Sequence, residues 1–163
     1  MDWTLAVFAL LNFAAACSGA VFKPGPWFEA LEKPRWMPPN WAFPVVWTIL
    51  YAANAYAGWL VFSRLGWSPE GIFAMSLYGV SLILNAAWSW IFFGLKRLWS
   101  ATVEAGLLFI SVALQILVFF SVEPLAGVIL LPYLVWVAVA TALANSVRRR
   151  NPDADLDNAG VTA

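Results

Sequence analysis

The residues of this chain whose type and placement could do chemistry are tryptophans. Trp47, Trp88 and Trp136 fall inside strongly apolar runs, and Asn85 stands one helical turn from Trp88. Indole can act as a redox or radical partner, so the chemistry open to the chain is light-driven or oxidative chemistry on a bound chromophore. Other chemistries lack their parts. There is no His and a single Cys, Cys17. That removes the usual metal and haem ligands, the neutral-pH proton shuttle, and any disulfide framework or cysteine zinc site. No Ser–His–acid set, phosphate loop or pair of carboxylates within one apolar run is found. These absences argue against an ordinary hydrolase and a nucleotide-driven pump. The net charge of zero gives a nucleic-acid partner no support.

The elements that must position these tryptophans are membrane spans. The chain is 63% hydrophobic and 11% charged, against about 45–50% and about 25% in soluble domains. A span needs about 20 mostly apolar residues, and five runs qualify: 3–22, 42–63, 68–94, 98–121 and 124–147. The third opens with Ser68-Pro69-Glu70, which reads as N-cap, first-turn proline and early acid. Pro132 in the fifth run removes a helical hydrogen bond and predicts a kink. Asp2 and the lack of an early Lys or Arg argue that the first run is a retained helix, not a signal peptide. The expected architecture is an all-α membrane protein, a bundle of five transmembrane helices over residues 1–150. A long structured loop joins its first two helices. Residues 151–163 are polar and acidic and read as a disordered tail.

Five spans put the chain ends on opposite sides. One side holds Arg64 alone; the other holds Lys23, Lys33, Arg35, Lys96, Arg97, Arg148, Arg149 and Arg150. The bias predicts an outside N-terminus, with the first loop and the C-terminus cytoplasmic. Trp3, Trp59 and Trp67 fit an interfacial belt on the outer side, and Trp41, Trp90 and Trp99 fit one on the cytoplasmic side. Trp47 and Trp88 lie roughly 8 Å, and Trp136 roughly 16 Å, inside the cytoplasmic ends of their helices at about 1.5 Å per residue. Aromatics and one amide at overlapping depths suit a flat, largely apolar ligand; aromatic core packing explains them equally well. Asn12, Asn54, Asn85, Glu104, Gln115 and Asn145 must face the bundle interior. The amides read more readily as interhelical glue than as ligand contacts. Glu104 reads more readily as structural, pairing with Arg97 or a Lys of the first loop, than as a proton relay.

One stretch organises the rest. WFEALEKPRWMPPNW (27–41), followed by PVVWTILY (44–51), resembles the signature of the TspO family. These are the bacterial tryptophan-rich sensory proteins and the mitochondrial translocator proteins. The resemblance continues through LNAAWSWIFFGLKR, ATVE and LLPYLVWVAVATAL, and spans about residues 5–148. It implies a five-helix bundle that dimerises, with the first loop closing a pocket. It also implies an integral membrane receptor or translocator that binds porphyrins, protoporphyrin IX above all, in transport or sensing of tetrapyrroles. The alternatives it brings are light- or oxygen-dependent porphyrin degradation and a sterol or lipid carrier.

Carried over by the resemblance, the ligand site comprises Phe28, Trp36 and Pro38 from the loop and Trp47 and Tyr51 from the second span. Asn85, Trp88 and Phe92 come from the third span, and Trp136, Ala140 and Leu143 from the fifth. Trp47 and Trp136 match the tryptophans tied to porphyrin breakdown, and are the candidates for any catalytic role. No metal and no obligatory cofactor is implied. Lys33-Pro34 and Pro38-Pro39 flank Trp36 and should hold its ring in the lid. Small residues of the third span (Ala74, Gly79, Ser81, Ala86) are compatible with a homodimer contact. Two features depart from the family. The end of the fifth span, ATALANSVRRR, lacks the Tyr of the animal sterol motif. Position 28 is Phe where relatives often carry Tyr. The membrane expected is a bacterial cell membrane.

Overall fold

The structure is a computed structural model and describes residues 3–156. Among these all regular structure is helical: α1 (Trp3–Val21), α2 (Pro26–Ala30), α3 (Ala42–Leu65), α4 (Pro69–Ser89), α5 (Leu98–Val122), α6 (Pro124–Ile129) and α7 (Leu131–Arg150). Five stretches are long and apolar enough to cross a membrane: α1, α3, α4 with its extension to Gly94, α5, and α6–α7 taken together. The expected spans are present with these bounds.

Local chemistry accounts for the ends. Ser68 Oγ accepts from the Gly71 amide at 3.1 Å, the N-cap that the sequence announced. Pro69 and Pro124 sit in first turns, where a missing N–H leaves no bond unmade. The fifth span breaks at Leu130, and Pro132 falls in the first turn of α7, so the expected kink is a junction of two helices. The third span ends in a π-helical turn, Trp90–Gly94. Lys96 then takes a left-handed backbone conformation (φ 57°) to reverse the chain into α5. A residue with a Cβ is unfavourable there by about 1–2 kcal/mol.

Packing closes the spans into a ring. α1 lies against α3 and α4, α3 against α6, α6 and α7 against α5, and α5 against α4. Around the bundle the order is therefore first, second, fifth, fourth, third. Outward faces carry Leu10, Phe13, Ile49, Ile83, Leu117 and Val135, all exposed, as a lipid-facing surface requires. Gly58 marks a close crossing of α1, α3 and α4. A Cβ there would lie 2.7 Å from Tyr78 Cε2 and 2.9 Å from Phe8 Cδ1.

A ring of side-chain amides fixes the register of four helices. Asn12 of α1 donates to the Tyr78 hydroxyl of α4 and to the Phe8 carbonyl at 2.9 Å. Asn54 of α3 donates to Asn12 Oδ1 at 3.0 Å. Gln115 of α5 donates to Asn54 Oδ1 at 2.9 Å. Ser81 of α4 lies 2.6 Å from Gln115 Oε1 and 2.9 Å from the carbonyl of Tyr78. All five side chains are buried. In hydrocarbon each of these polar groups has only the others to bond with, so the pairing dictates how the helices slide against one another.

Two expectations need correction. The tail does not leave the bundle after α7. Residues 151–156 turn through Pro152–Ala154 and dock, with Asp155 buried, because its carboxylate meets the bare amide end of α5. Residues 157–163 lie outside the described residues. Of the small residues offered for a dimer contact, Ala74 and Ser81 are fully buried within the chain, because that stripe of α4 packs on α1 and α5. Gly79 has open space beyond its Cα.

Candidate functional site

The loop from 22 to 41 folds onto the end of the bundle. Pro26 starts α2, which turns Phe28 inward, while Leu31 and Pro34 follow it into buried positions. Phe28 and Leu31 join Phe92, Leu98, Ala101, Leu143, Ala144 and Val147 in one apolar cluster, with Trp88, Phe93, Phe43 and Trp27 packed around it. Phe28 meets Phe93 at 5.3 Å and Phe92 at 5.9 Å between ring centroids. Trp88 stacks on Phe92 at 4.9 Å. Lys33 Nζ lies 4.8 Å above the Phe28 ring and donates to the carbonyls of Glu29 and Leu31, so one cation ties the lid's own turns together. The π-helical turn puts the adjacent Phe92 and Phe93 against Phe28 together; their own rings are 4.9 Å apart.

Deeper in the bundle a second group gathers. Tyr51 donates to Asn85 Oδ1 at 2.6 Å, and Asn85 Nδ2 donates to the Tyr133 hydroxyl at 2.7 Å. Trp47 lies against both tyrosines, 5.6 Å from Tyr51 and 6.1 Å from Tyr133. Phe43 joins the groups: it packs against the lid cluster and its ring is 5.8 Å from Trp136. Tyr51 lies three residues from Asn54, and Asn85 four residues from Ser81. The amide ring therefore sits one turn beyond this level and holds α3 and α4 in the register that lets Tyr51 meet Asn85.

The residues expected at the site thus fall into two connected levels. Phe28, Trp88, Phe92 and Leu143 line the lid level, and Trp47, Tyr51, Asn85 and Trp136 the deeper one. Pro38 and Ala140 are half-buried. Trp36 is 52% exposed and belongs to neither cluster. Tyr133 and Phe43 stand with these residues although neither is among those the resemblance implies. Tyr133 follows the kink proline, and that adjacency was the one available signal.

Several buried polar atoms have no hydrogen-bond partner: Trp88 Nε1, Trp136 Nε1 and both carboxylate oxygens of Glu104. The expected pairing of Glu104 with Arg97 or a loop Lys does not form. Glu104 follows Ala101 by one turn on the inner stripe of α5 and is 7% exposed. The Thr141 hydroxyl of α7, bonded to the Val137 carbonyl at 2.8 Å, also lies 3.2 Å from the Ala105 carbonyl beside Glu104. Two indole donors thus stand without partners among aromatic side chains, and a carboxylate without partners on the inner stripe of α5. This is the composition of a ligand site, mostly apolar with a few polar groups to orient a guest. On the outer face, a groove of about 490 Å³ lined by Ile49, Leu131, Val135 and Trp136 among others lies between α3 and α7.

Fold and site together define a class: a five-span membrane protein with an aromatic site beneath a folded loop. The chain belongs to the TspO/MBR family, whose model matches residues 5–150. Protein CrtK of Rhodobacter capsulatus is 39% identical over 152 residues, covering 91% of this chain and 95% of that protein. The tryptophan-rich sensory protein of Cereibacter sphaeroides is 37% identical over 156 residues, 93% and 94% of the two chains. The human translocator protein is 38% identical over 126 residues, 77% and 75% of the two. The chain is accordingly a multi-pass membrane protein of the translocator and sensory class.

Proposed function

We propose that this protein binds a metal-free tetrapyrrole of the protoporphyrin IX type between the lid loop and the second, third and fifth spans. We propose further that it acts in tetrapyrrole transport or sensing. The observation that carries the reading is that two indole donors among the aromatic side chains, Trp88 Nε1 and Trp136 Nε1, lack partners, as does the Glu104 carboxylate on the inner face of α5. Phe28 is buried beneath the loop, and in this reading the macrocycle enters by displacing it, with the loop as gate. The basic residues clustered at the lid end favour a cytoplasmic loop and C-terminus in a bacterial cell membrane. A homodimer through the outward face of α4 around Gly79 belongs to the same proposal; crosslinking of Gly79→Cys in membranes tests it, and no dimer there moves the interface elsewhere.

The groove at Trp136 favours a second reading, exchange of an apolar ligand, including a sterol or lipid, directly with the bilayer. Porphyrin breakdown with Trp47 and Trp136 as redox partners is the third. Titration of the purified protein with protoporphyrin IX, followed by tryptophan fluorescence, tests what all three share for a porphyrin. Saturable quenching that changes in the Trp47→Phe/Trp136→Phe variant is expected. Absent or unchanged quenching removes the site assignment. Illumination of the complex then separates breakdown, which requires bleaching faster than with free tryptophan. Competable uptake into proteoliposomes separates carriage from sensing.

A further inference from the structure

We propose that residues 151–156 form the catch of the lid, and that Asn151 is the positioning residue that sets how readily the loop opens. The catch is anchored at one end and grips at the other. At the anchored end, Asp155 accepts from the amides of Leu98 at 2.8 Å and Trp99 at 3.0 Å. These are the first amides of α5, and Arg97, the residue before them, provides no side-chain cap. A carboxylate from 57 residues away does so instead, where the unpaired amides and the helix dipole favour negative charge. The Leu156 amide adds a bond to the Lys96 carbonyl at 3.4 Å, and Ala154 packs against the lid cluster.

At the gripping end, a single amide side chain holds one loop residue by both its backbone groups. The Glu32 N–H donates to Asn151 Oδ1 at 2.8 Å, and Asn151 Nδ2 donates to the Glu32 carbonyl at 2.9 Å. Asn151 Nδ2 also reaches the Val147 carbonyl at 2.8 Å, which ties the grip to the last turn of α7. Glu32 directly follows Leu31, and Leu31 and Phe28 are lid side chains buried in the apolar cluster. The grip therefore sits beside the residues that must leave for the site to open. Glu32 is exposed, so water can replace both bonds when the grip releases. That makes it reversible, where the anchor, with Asp155 4% exposed, is not easily wetted. That the opening admits a ligand rests on the function proposed above; the opening itself does not.

The test is amide hydrogen exchange on the full-length protein in nanodiscs without ligand, read at Glu32 and across residues 28–37, with tryptic cleavage after Arg35 as a second probe. Asn151→Ala should speed exchange and cleavage of the loop on the order of tenfold, the effect of losing two solvent-exposed hydrogen bonds. Asn151→Asp keeps the acceptor for the Glu32 N–H and loses the donor, so it should fall between. Asp155→Ala should match Asn151→Ala, and Asp155→Asn, which keeps one of the two accepting oxygens, should fall between Asp155→Ala and the parent. The spans should keep their exchange rates in every variant. Unchanged loop exchange in Asn151→Ala, or faster exchange spread through all spans, overturns the proposal. The second arm measures protoporphyrin IX kinetics, where Asn151→Ala should raise association and dissociation rates together and leave Kd within about threefold. If the parent protein does not bind protoporphyrin IX but loop exchange responds as stated, the function falls and the catch stands. If loop exchange does not respond, the catch falls whatever the porphyrin does.

Discussion

Replacing Asn54 by Leu should damage the bundle more than replacing Gln115 by Leu, and making both changes together should recover part of the loss. The size of each loss follows from the number of atoms left without partners in the amide ring. Asn54→Leu strands two of them, Asn12 Oδ1 and Gln115 Nε2. Gln115→Leu strands one, Asn54 Oδ1, because the Ser81 hydroxyl retains the Tyr78 carbonyl. The double change strands only Asn12 Oδ1. An unpaired buried group costs about 1–3 kcal/mol in proteins generally, and interhelical hydrogen bonds in bilayers are worth about 0.6 kcal/mol on average and about 1.7 at most. The expected losses are thus about 1–3 kcal/mol for Asn54→Leu and about half that for Gln115→Leu. The double variant should lie about 0.6–1.5 kcal/mol above Asn54→Leu. Reversible unfolding by SDS in mixed micelles, followed by near-UV circular dichroism, measures all three. Additive losses, with the double variant the least stable, would refute the view that the ring is a chain of mutually satisfied groups.

Glu104→Leu removes a buried carboxylate that has no partner. It should raise the SDS midpoint, by about 1–3 kcal/mol of stability, and weaken protoporphyrin IX binding in the same titration. A lowered midpoint would mean that the carboxylate has a partner in the folded bundle. Gly58→Ala forces a methyl group against Tyr78 and Phe8 and should lose about 1–3 kcal/mol in the same unfolding assay. An unchanged midpoint would show that α1 can move away from α3 without loss. Lys96→Gly relieves the left-handed backbone at φ 57° and should gain up to about 1 kcal/mol, visible as slower unfolding of the α4–α5 turn.

The spans were legible because length, apolarity and terminal chemistry act locally: Ser68 and Pro124 announce their helices in the residues themselves. The inward polar groups were legible for the same reason, since Asn12, Asn54 and Gln115 have no tolerable place but the interior. What they bond to was not legible, because it depends on which helices are neighbours. Glu104 illustrates the difference. An acid near a helix start beside basic residues reads as an ion pair, yet on the inner stripe of α5 neither of its oxygens meets a partner among the described residues. Asp155 is the converse case. Its surroundings in sequence are polar and acidic, which reads as a solvated tail, and nothing local shows that the amides of Leu98 and Trp99 lie within reach. Trp36 and Phe28 share a loop and an aromatic character, but the turn at 35–36 leaves one outside while α2 buries the other. Loop conformation, not composition, separates them.

The amide ring closes without the fifth span. Tyr78, Asn12, Asn54, Gln115 and Ser81 all lie before Glu123, and synthesis proceeds from the N-terminus. A nascent chain can therefore pair these groups before α6 and α7 have left the ribosome. The last span then arrives at a finished frame, where it supplies Tyr133 to Asn85, lays Trp136 beside Phe43 and brings Asn151 to the loop. Biogenesis is in this sense split into a scaffold made first and a closing helix added last. The connection at Glu123 is then the natural cut for co-expressing the protein as two reassociating pieces.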